Sequence, residues 1–128
     1  MSEKELFIKG TGVDIIEIAR IEEAFKASGR FAKRIYTPGE IASCGGAKPK
    51  WESLAARFAA KEAVAKAIST GIGAFRWTEV EILREADGKP EVILHGNAKE
   101  EASKKGIKYI NLSLSHCKEY AVAFAVAY

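Results

Sequence analysis

The sequence predicts a single compact α+β domain in which antiparallel strands pack on one long alanine-rich helix. A helical run extends over 51–69 and holds seven alanines between positions 55 and 67. Two pairs of strand-like runs follow it, and one more strand-like run lies near the N-terminus. The 128 residues are enough for one hydrophobic core. We therefore expect one domain over 1–128, with an antiparallel sheet built from two hairpins plus the N-terminal strand.

Composition excludes several classes of protein. Hydrophobic residues make up 48% of the chain and charged residues 29%, which is ordinary for a globular protein. No apolar window approaches the roughly 20 residues of a membrane helix. The segment MSEKELFIKG lacks the apolar core of a secretory signal. A net charge of +3 is too small to indicate a nucleic-acid partner. We expect a cytoplasmic protein with neither a membrane nor a nucleic-acid partner.

The N-terminal part of the chain predicts one strand followed by short helices. The run ELFIKGTGVDII favours a strand, and Gly10 and Gly12 indicate either a bulge or a close backbone approach. TPGE over 37–40 has the residues of a helix capping box. Between these segments, apolar residues recur at helical spacing, with Gly29 as the expected C-cap; they are Ile18, Ile21, Ala24 and Phe25.

The C-terminal half predicts two hairpins separated by a polar helix. The strand-like runs 78–83 and 90–96 flank an Asp-Gly turn. Asn97 is the expected N-cap of the next helix, and Gly106 is expected to end it. KYINLSLSH and YAVAFAVAY form the second predicted hairpin around CKE.

Glu62 and Lys66 interrupt the alanine-rich helix one turn apart. At this spacing they could form an exposed ion pair worth about 0.3–0.5 kcal/mol. Alternatively, Glu62 holds a metal ion and Lys66 binds a phosphate, with both side chains in a cleft. Spacing alone does not decide between these two interpretations.

Three features favour the second interpretation. Asp14, which could also cap the next helix, offers a second carboxylate after a strand-like run. Arg57 and Lys61 lie on the same helix as Glu62 and suit a polyphosphate bound through one hard cation. Mg²⁺ is often held by one or two carboxylates plus phosphate oxygens and water. The segment STGIG over 69–73 adds small residues and backbone amides that a phosphate can approach.

The two cysteines, Cys44 and Cys117, are far apart in the sequence and form no CxxC pair. Together with only two histidines they make no spaced set of metal ligands. We expect neither a redox motif nor a structural zinc site.

Three segments resemble one known family: GTGVDIIEIARIE over 10–22, RFAAKEAVAKAISTGIG over 57–73 and NLSLSHCKEYAVAFAV over 111–126. In order and separation they resemble the AcpS-type holo-acyl-carrier-protein synthases, which are small 4′-phosphopantetheinyl transferases. The pattern F-x-x-K-E-A-x-x-K-A, present from Phe58 to Ala67, is the most specific of them. The resemblance covers essentially the whole chain and implies the phosphopantetheinyl transferase fold.

The resemblance implies transfer of the 4′-phosphopantetheine arm from coenzyme A to a serine of apo-acyl carrier protein, with release of adenosine 3′,5′-bisphosphate, in fatty acid biosynthesis. Asp14, Glu62 and Lys66 would be the catalytic residues. Asp14 and Glu62 would bind Mg²⁺, and Lys66 would contact the pyrophosphate. The proton of the attacking serine could pass to Glu62, Asp14 or a metal-bound water, and the sequence does not rank these.

The resemblance also implies a set of coenzyme A contacts. His116 belongs to an S-x-S-H element, but strand alternation places it opposite the serines, and a packed residue at the strand rim is an alternative. Pro90 matches a position near the nucleotide, although it also suits a turn. Ser69 departs from the Gly of the family pattern, which leaves the contact between loop and phosphate open. The implied contacts are Arg57, Lys66, Thr70, Gly71, Pro90, Ser115 and His116.

Carrier docking and assembly are the remaining expectations. Acyl carrier proteins are acidic, so a basic surface is needed to bind one. Lys33 and three arginines form a basic cluster in the sequence, and we assign the arginines Arg20, Arg30 and Arg34 to carrier binding. Solvated side chains on two short helices are the alternative. The resemblance further implies a homotrimer with active sites between subunits.

Two competing functions are open to this sequence. One is a transferase of the same fold that acts on the carrier domains of larger synthases. The other is a non-catalytic module that binds nucleotide or RNA. The chain lacks a basic stripe with interleaved aromatic residues, which disfavours the second.

Overall fold

The computed structural model describes residues 7–128, in which five strands and five α-helices follow one another along the chain. They are β1 (Gly10–Glu17), α1 (Ile18–Ala27), α2 (Gly29–Ile35), α3 (Pro38–Ser43), α4 (Trp51–Ile68), β2 (Val80–Arg84), β3 (Pro90–Leu94), α5 (Gly96–Lys104), β4 (Ile110–His116) and β5 (Tyr120–Ala127). Two single-turn 3₁₀ helices, Ile72–Ala74 and Trp77–Glu79, connect α4 to β2. No helix within 7–128 is long and apolar enough to cross a membrane.

The strands form two antiparallel sheets. One has the order β1-β5-β4, and the other consists of β2 and β3. β1 pairs with β5 along its whole length, from Gly10 opposite Ala127 to Glu17 opposite Tyr120. The predicted α+β class, the two hairpins and the N-terminal strand are confirmed. The expected single sheet is instead divided in two, because no ladder joins β3 to β4 in the described part of the chain.

Helix α4 is surrounded on nearly every side because its alanines let neighbouring elements come close. Leu54, Val64 and Ile68 are buried, and so are all seven of its alanines. The three-stranded sheet packs on it through alternate residues of β5, each of which is also alanine. Small residues on both surfaces therefore bring the backbones of helix and sheet together.

Strand β1 approaches α4 most closely at its two glycines. A Cβ on Gly10 would overlap the carbonyl oxygen of Ala67, and one on Gly12 would overlap that of Ala63. The ladder with β5 continues without interruption through both positions. Of the two predicted possibilities, the close backbone approach is therefore correct and the bulge is wrong.

The predicted helix ends are partly confirmed. Thr37 and Glu40 form the expected capping box, in which the Glu40 N–H donates to Thr37 Oγ1 at 3.1 Å and the Thr37 N–H donates to Glu40 Oε1 at 2.8 Å. Gly29, however, is the first residue of α2 and not a C-cap. Ser28 ends α1, because its backbone is extended with φ of −158°.

The start of α5 also differs from the prediction. His95 occupies the N-cap position, so Asn97 lies inside the first turn and does not cap the helix. The Asn97 N–H donates instead to the Glu79 carboxylate at 2.9 Å. A residue of the preceding 3₁₀ turn thus satisfies the free amide that a local cap would have satisfied.

Candidate active site

Asp14, Glu62 and Lys66 meet where β1 crosses α4. Asp14 lies on the face of β1 that is turned toward the helix, and its Oδ1 is 3.4 Å from Lys66 Nζ. Lys66 also donates to the Val13 carbonyl oxygen at 3.1 Å. The described residues include no ion pair between Glu62 and Lys66, so the first interpretation of their spacing is wrong. The alternative role of Asp14 as a helix cap is also excluded, since Glu17 occupies the N-cap of α1.

The electrostatics of this cluster favour a cation. Partial burial raises the pKa of the Glu62 carboxyl above its usual value, and the nearby Asp14 carboxylate raises it further, while Lys66 acts in the opposite direction. The Asp14 and Glu62 carboxylates therefore repel each other, and the Lys66 ammonium group offsets part of this repulsion. A divalent ion between them would remove this repulsion.

The donor set fits Mg²⁺. Both groups offer hard carboxylate oxygens, and one or two carboxylates are the usual protein contribution to a magnesium site that also binds phosphate. No group of three or more potential protein ligands occurs within 7–128. Phosphate oxygens and water would complete the coordination of such an ion.

The loop after α4 borders the carboxylates. A Cβ built on Gly71 would lie 3.5 Å from Glu62 Oε2, so the loop backbone passes directly beside this side chain. Gly71 has φ of +135°, which side-chain-bearing residues rarely adopt. The neighbouring Thr70 is exposed. Gly71, one of the predicted coenzyme A residues, therefore lies beside the predicted metal ligand Glu62, and Thr70 precedes it in the same loop.

A second set of predicted residues lines a groove of about 490 Å³. The groove runs between the N-terminal half of α4, the β2–β3 turn and the edge of β4. Arg57, Pro90, Ser115 and His116 all lie along it. It also contains polar residues that the sequence analysis missed, of which Ser53, Arg84 and Lys89 are examples. Lys89 could have been found, because it directly precedes Pro90 in a hairpin turn.

Arg57 is fixed at the base of this groove. Its guanidinium Nη1 lies 3.0 Å from Ser43 Oγ and 3.1 Å from Cys44 Sγ, and only 2% of the residue is exposed. Burial raises the pKa of the Cys44 thiol, so this group stays protonated. Arg57 is thereby oriented before any ligand binds.

The two sets of residues do not meet within one chain. Arg57 and Lys66 are nine residues apart on α4, which corresponds to about 14 Å along the axis and to opposite sides of the helix. The carboxylates and the loop lie at one end of α4, and the groove lies beside its other end. One protomer thus presents two separate parts of the predicted site.

All the residues of this arrangement belong to a segment of the chain that matches a known sequence family. A family model described as the 4′-phosphopantetheinyl transferase superfamily matches residues 10–125. The chain belongs to this superfamily. The predicted family, enzyme class and phosphopantetheinyl transferase fold are confirmed.

Relatives of this transferase resemble it over nearly their whole length. The holo-[acyl-carrier-protein] synthase of Moorella thermoacetica is 49% identical over 115 residues, which is 90% of each chain. The crystal structure of holo-[acyl-carrier-protein] synthase from Neisseria meningitidis superposes with a TM-score of 0.83 at 41% identity, covering 95% of this chain and 99% of that one. The corresponding Helicobacter pylori structure, in complex with coenzyme A, gives a TM-score of 0.81 at 32% identity and covers 92% and 99%.

Lys61 of the transferase does not face the carboxylates of Asp14 and Glu62. Its side chain is completely buried and pairs with Glu40 at 2.8 Å. The expectation that Lys61 joins Arg57 and Lys66 in binding a polyphosphate is therefore wrong. Lys61 precedes Glu62 by one position, and one position turns a side chain by about 100° around the helix.

The basic residues of α2 border an apolar pocket of about 400 Å³. Arg30 and Arg34 lie at its edge, while Phe31, Phe58 and Trp77 form much of its wall. Phe58 stacks on Trp77 with ring centroids 4.7 Å apart. Of the three predicted carrier-binding residues, the structure brings Arg30 and Arg34 together here. Arg20 is exposed on α1 and does not line the pocket.

Proposed function

We propose that this transferase moves the 4′-phosphopantetheine arm of coenzyme A to a serine of apo-acyl carrier protein, with Mg²⁺, in fatty acid biosynthesis. The transferase class follows from the family, and relatives of matching length are named holo-[acyl-carrier-protein] synthase. The observation that carries the proposal is the convergence of Asp14, Glu62 and Lys66 where β1 crosses α4.

Asp14 and Glu62 are the side chains that would hold the metal. When bound, Mg²⁺ supplies positive charge to the pyrophosphate and makes its phosphorus more electrophilic. The chain's own contribution is rigidity. Close contact between β1 and α4 holds the two carboxylates in fixed positions, so that little reorganisation is needed when substrate arrives.

Lys66 supplies the movable positive charge of the site. Its side chain is 42% exposed and its contact with Asp14 is long, at 3.4 Å. Such a pair is weak, so the ammonium group can exchange Asp14 for a phosphate oxygen. The backbone beside Thr70 and Gly71 offers further hydrogen-bond donors to the same phosphate.

The reaction is an in-line displacement. The carrier's serine oxygen forms a bond to the phosphorus that carries pantetheine, and the bond from this phosphorus to the bridging oxygen breaks. Adenosine 3′,5′-bisphosphate leaves with the electron pair, and the serine proton passes to a carboxylate of the site or to water. Lys66 offsets the charge that grows on the oxygens, and the fixed positions of Asp14 and Glu62 orient the reacting groups.

We assign the nucleotide end of coenzyme A to the groove beside the N-terminal half of α4. Arg57 lies at its base, and Arg84 and Lys89 lie along its side. Three basic side chains suit the phosphates of adenosine 3′,5′-bisphosphate, and the guanidinium groups can bind a phosphate through two parallel hydrogen bonds. Pro90, Ser115 and His116 complete the proposed contacts.

A homotrimer would join the separated parts of the site. On the face of the three-stranded sheet that is turned away from α4, β1 and β5 expose apolar side chains, with Val13 56%, Ile15 62% and Phe124 45% accessible, while β4 contributes the polar Ser113 and Ser115. β1, which carries Asp14, forms one edge of this sheet, and β4, which carries Ser115 and His116, forms the other. A cyclic assembly through this face would bring the β1 edge of one protomer near the β4 edge of the next.

We propose that the acidic carrier docks on the pocket between Arg30 and Arg34, with Arg20 as an outlying contact. The pocket combines a basic rim with an apolar wall, which suits an amphipathic acidic helix. The proposed domain extends over 1–128. A cytoplasmic location is part of the same proposal, since Cys44 and Cys117 are both free thiols and Cys117 is exposed, which suits a reducing compartment.

The experiment is to incubate the protein with coenzyme A, Mg²⁺ and an apo-acyl carrier protein, and then to measure the intact mass of the carrier. A gain equal to the phosphopantetheine arm is expected. A carrier whose acceptor serine is replaced by alanine is the control and should stay unmodified. Unchanged mass of a competent carrier would contradict the proposed function.

A further inference from the structure

Glu40 and Lys61 form an ion pair in the interior of the protein, between α3 and α4. The Lys61 ammonium lies 2.8 Å from Glu40 Oε1, and both side chains are 0% exposed. Burial lowers the pKa of Lys61, while the Glu40 carboxylate acts to raise it. A buried charge pair is costly to form and commonly no more stabilising than apolar side chains of similar volume. Its presence therefore calls for a reason other than stability.

The hydrogen bonds of this pair lead to strand β2. Glu40 Oε2 accepts from the Ile82 N–H at 2.8 Å, and Lys61 Nζ donates to the Val80 carbonyl oxygen at 2.7 Å. Lys61 also donates to the carbonyl oxygen of Trp77, in the turn that leads into β2, at 3.0 Å. The pair thus forms hydrogen bonds with the main chain of Trp77, just before β2, and with that of Val80 and Ile82 within the strand. Apolar contacts alone would permit the strand to slide along the helices.

One further link joins the same elements. Thr37, which donates its N–H to Glu40, also donates its hydroxyl to Glu81 Oε2 at 2.6 Å. Within the described residues, the side-chain hydrogen bonds between β2 and the helices α3 and α4 come from Glu40 and Lys61. Thr37, at the N-cap of α3, supplies the additional one.

The position of β2 determines one wall of the groove. β2 and β3 form a sheet of their own, and among residues 7–128 no ladder joins them to the three-stranded sheet. Ile82 is two residues from Arg84, which is about 6.6 Å along a strand, and Arg84 pairs with Pro90. Arg84 and Pro90 line the groove together with Ser115 of β4. A shift of β2 at Ile82 would therefore change the width of the groove.

We propose that Glu40 and Lys61 are positioning residues, which hold the β2–β3 hairpin so that the groove has the width needed by the nucleotide end of coenzyme A. This inference rests on the proposed function, because it takes the groove to be the nucleotide site. Under this inference α4 carries residues with two different roles. Lys61 holds the β2–β3 hairpin in place, whereas Glu62 and Lys66 bind the metal and the reacting phosphate.

The test is Glu40→Gln, which keeps the shape of the side chain and removes its charge. The KM for coenzyme A and the calorimetric Kd for adenosine 3′,5′-bisphosphate should both rise about fivefold or more, while kcat stays within about twofold of wild type. The control is Ile21→Ala, a buried residue of α1 outside this network. It should lower the Tm and leave both constants near their wild-type values.

A second variant covers the case in which Glu40→Gln does not fold. Glu40→Gln combined with Lys61→Met leaves no unpaired buried charge and should recover stability. Its KM and Kd should remain raised, because Lys61→Met also removes the hydrogen bonds from Lys61 to the carbonyl oxygens of Trp77 and Val80. The inference would be overturned if the double variant recovered stability, KM and Kd together. It would also be overturned if Glu40→Gln left KM and Kd unchanged, or lowered only kcat.

The proposed function and this inference can fail separately. If wild-type protein modifies no carrier, the proposed function fails, whatever the variants do. Amide hydrogen exchange of β2 tests the positioning role without any turnover. The amide of Ile82 should exchange faster in Glu40→Gln than in Ile21→Ala, and equal exchange in the two variants would contradict the positioning role.

Discussion

Gly12 of β1 is in direct backbone contact with Ala63 of α4, because a Cβ on the glycine would overlap the alanine carbonyl oxygen. Asp14 lies two residues along the strand on the same face, and Glu62 directly precedes Ala63. The contact therefore sets the separation of the two carboxylates on which the proposed chemistry depends.

Gly12→Ala should cost about 3 kcal/mol or more of unfolding free energy, because strand and helix must separate to admit the methyl group. Gly29→Ala is the matched control, since no atom of the described residues lies within 4 Å of its added Cβ and the residue begins a helix. The control should be neutral or stabilising by up to about 1 kcal/mol. Urea unfolding followed by tryptophan fluorescence measures both, and equal losses would contradict the close contact.

Glu62→Gln should lower kcat/KM by about 100-fold or more and reduce the response to Mg²⁺. In the absence of Mg²⁺, the Glu62→Gln substitution should raise the Tm. The fold raises the pKa of Glu62, so the folded state keeps the proton to higher pH than the unfolded state. Ionisation therefore costs stability as the pH rises through the folded pKa. Thermal scans should show a larger gain at pH 8 than at pH 5, and a lower Tm at pH 8 would contradict this.

Lys66→Met should lower kcat by about 100-fold, because the charge that offsets the pyrophosphate is lost. The unfolding free energy should change by less than about 1 kcal/mol, because the pair with Asp14 is partly exposed. Lys66→Arg, which keeps the charge, should retain more activity. Loss of the folded state in Lys66→Met would show that the residue is structural.

Ile15→Lys should convert the proposed trimer to monomers, because a charge would be placed among the exposed apolar side chains of β1 and β5. Light scattering after size exclusion would detect the change, and activity should fall with it. Ser103→Lys, on the exposed surface of α5, adds the same charge and should leave the assembly intact. A trimer that persists in Ile15→Lys would place the interface elsewhere.

Arg30→Glu combined with Arg34→Glu should raise the KM for the carrier at least about tenfold, and the KM for coenzyme A should stay within about twofold. Added salt should weaken carrier binding by the wild type more than by the variant, since exposed charges are screened. Lys99→Glu combined with Lys104→Glu, both on the exposed surface of α5, is the control for the same change in net charge. Steady-state kinetics with each substrate varied in turn measure both KM values. An equal rise in the two would argue against docking at α2.

Much of the fold could be predicted because its signals are local. The capping box at Thr37–Glu40, the Asp-Gly hairpin turn and the alternation of β4 and β5 each depend on residues a few positions apart. The start of α5 could not be predicted, since the group that satisfies Asn97 belongs to Glu79, 18 residues earlier. Such a contact exists only after the chain has folded.

The site was predicted in its residue types more than in its arrangement. Lys61 and Lys66 are both lysines on one helix, and only packing shows that one is buried against Glu40 while the other is exposed. The separation of Arg57 from Lys66 was already present in their spacing of nine residues, because this places them on opposite sides of a helix. The residues that the resemblance assigned to one ligand are therefore separated along α4 within one chain.

The alanines of α4 have a further consequence, which concerns entropy and tolerance to substitution. Alanine has no side-chain torsion to restrict, so the centre of the protein is ordered with little loss of rotamer freedom. Alanine also has no side-chain torsion through which it could repack when a neighbouring residue is enlarged. An enlarged side chain at one of these buried positions would therefore displace a neighbouring strand or helix, and we expect the displacement to alter the positions of Asp14 and Glu62 as well as the stability of the fold.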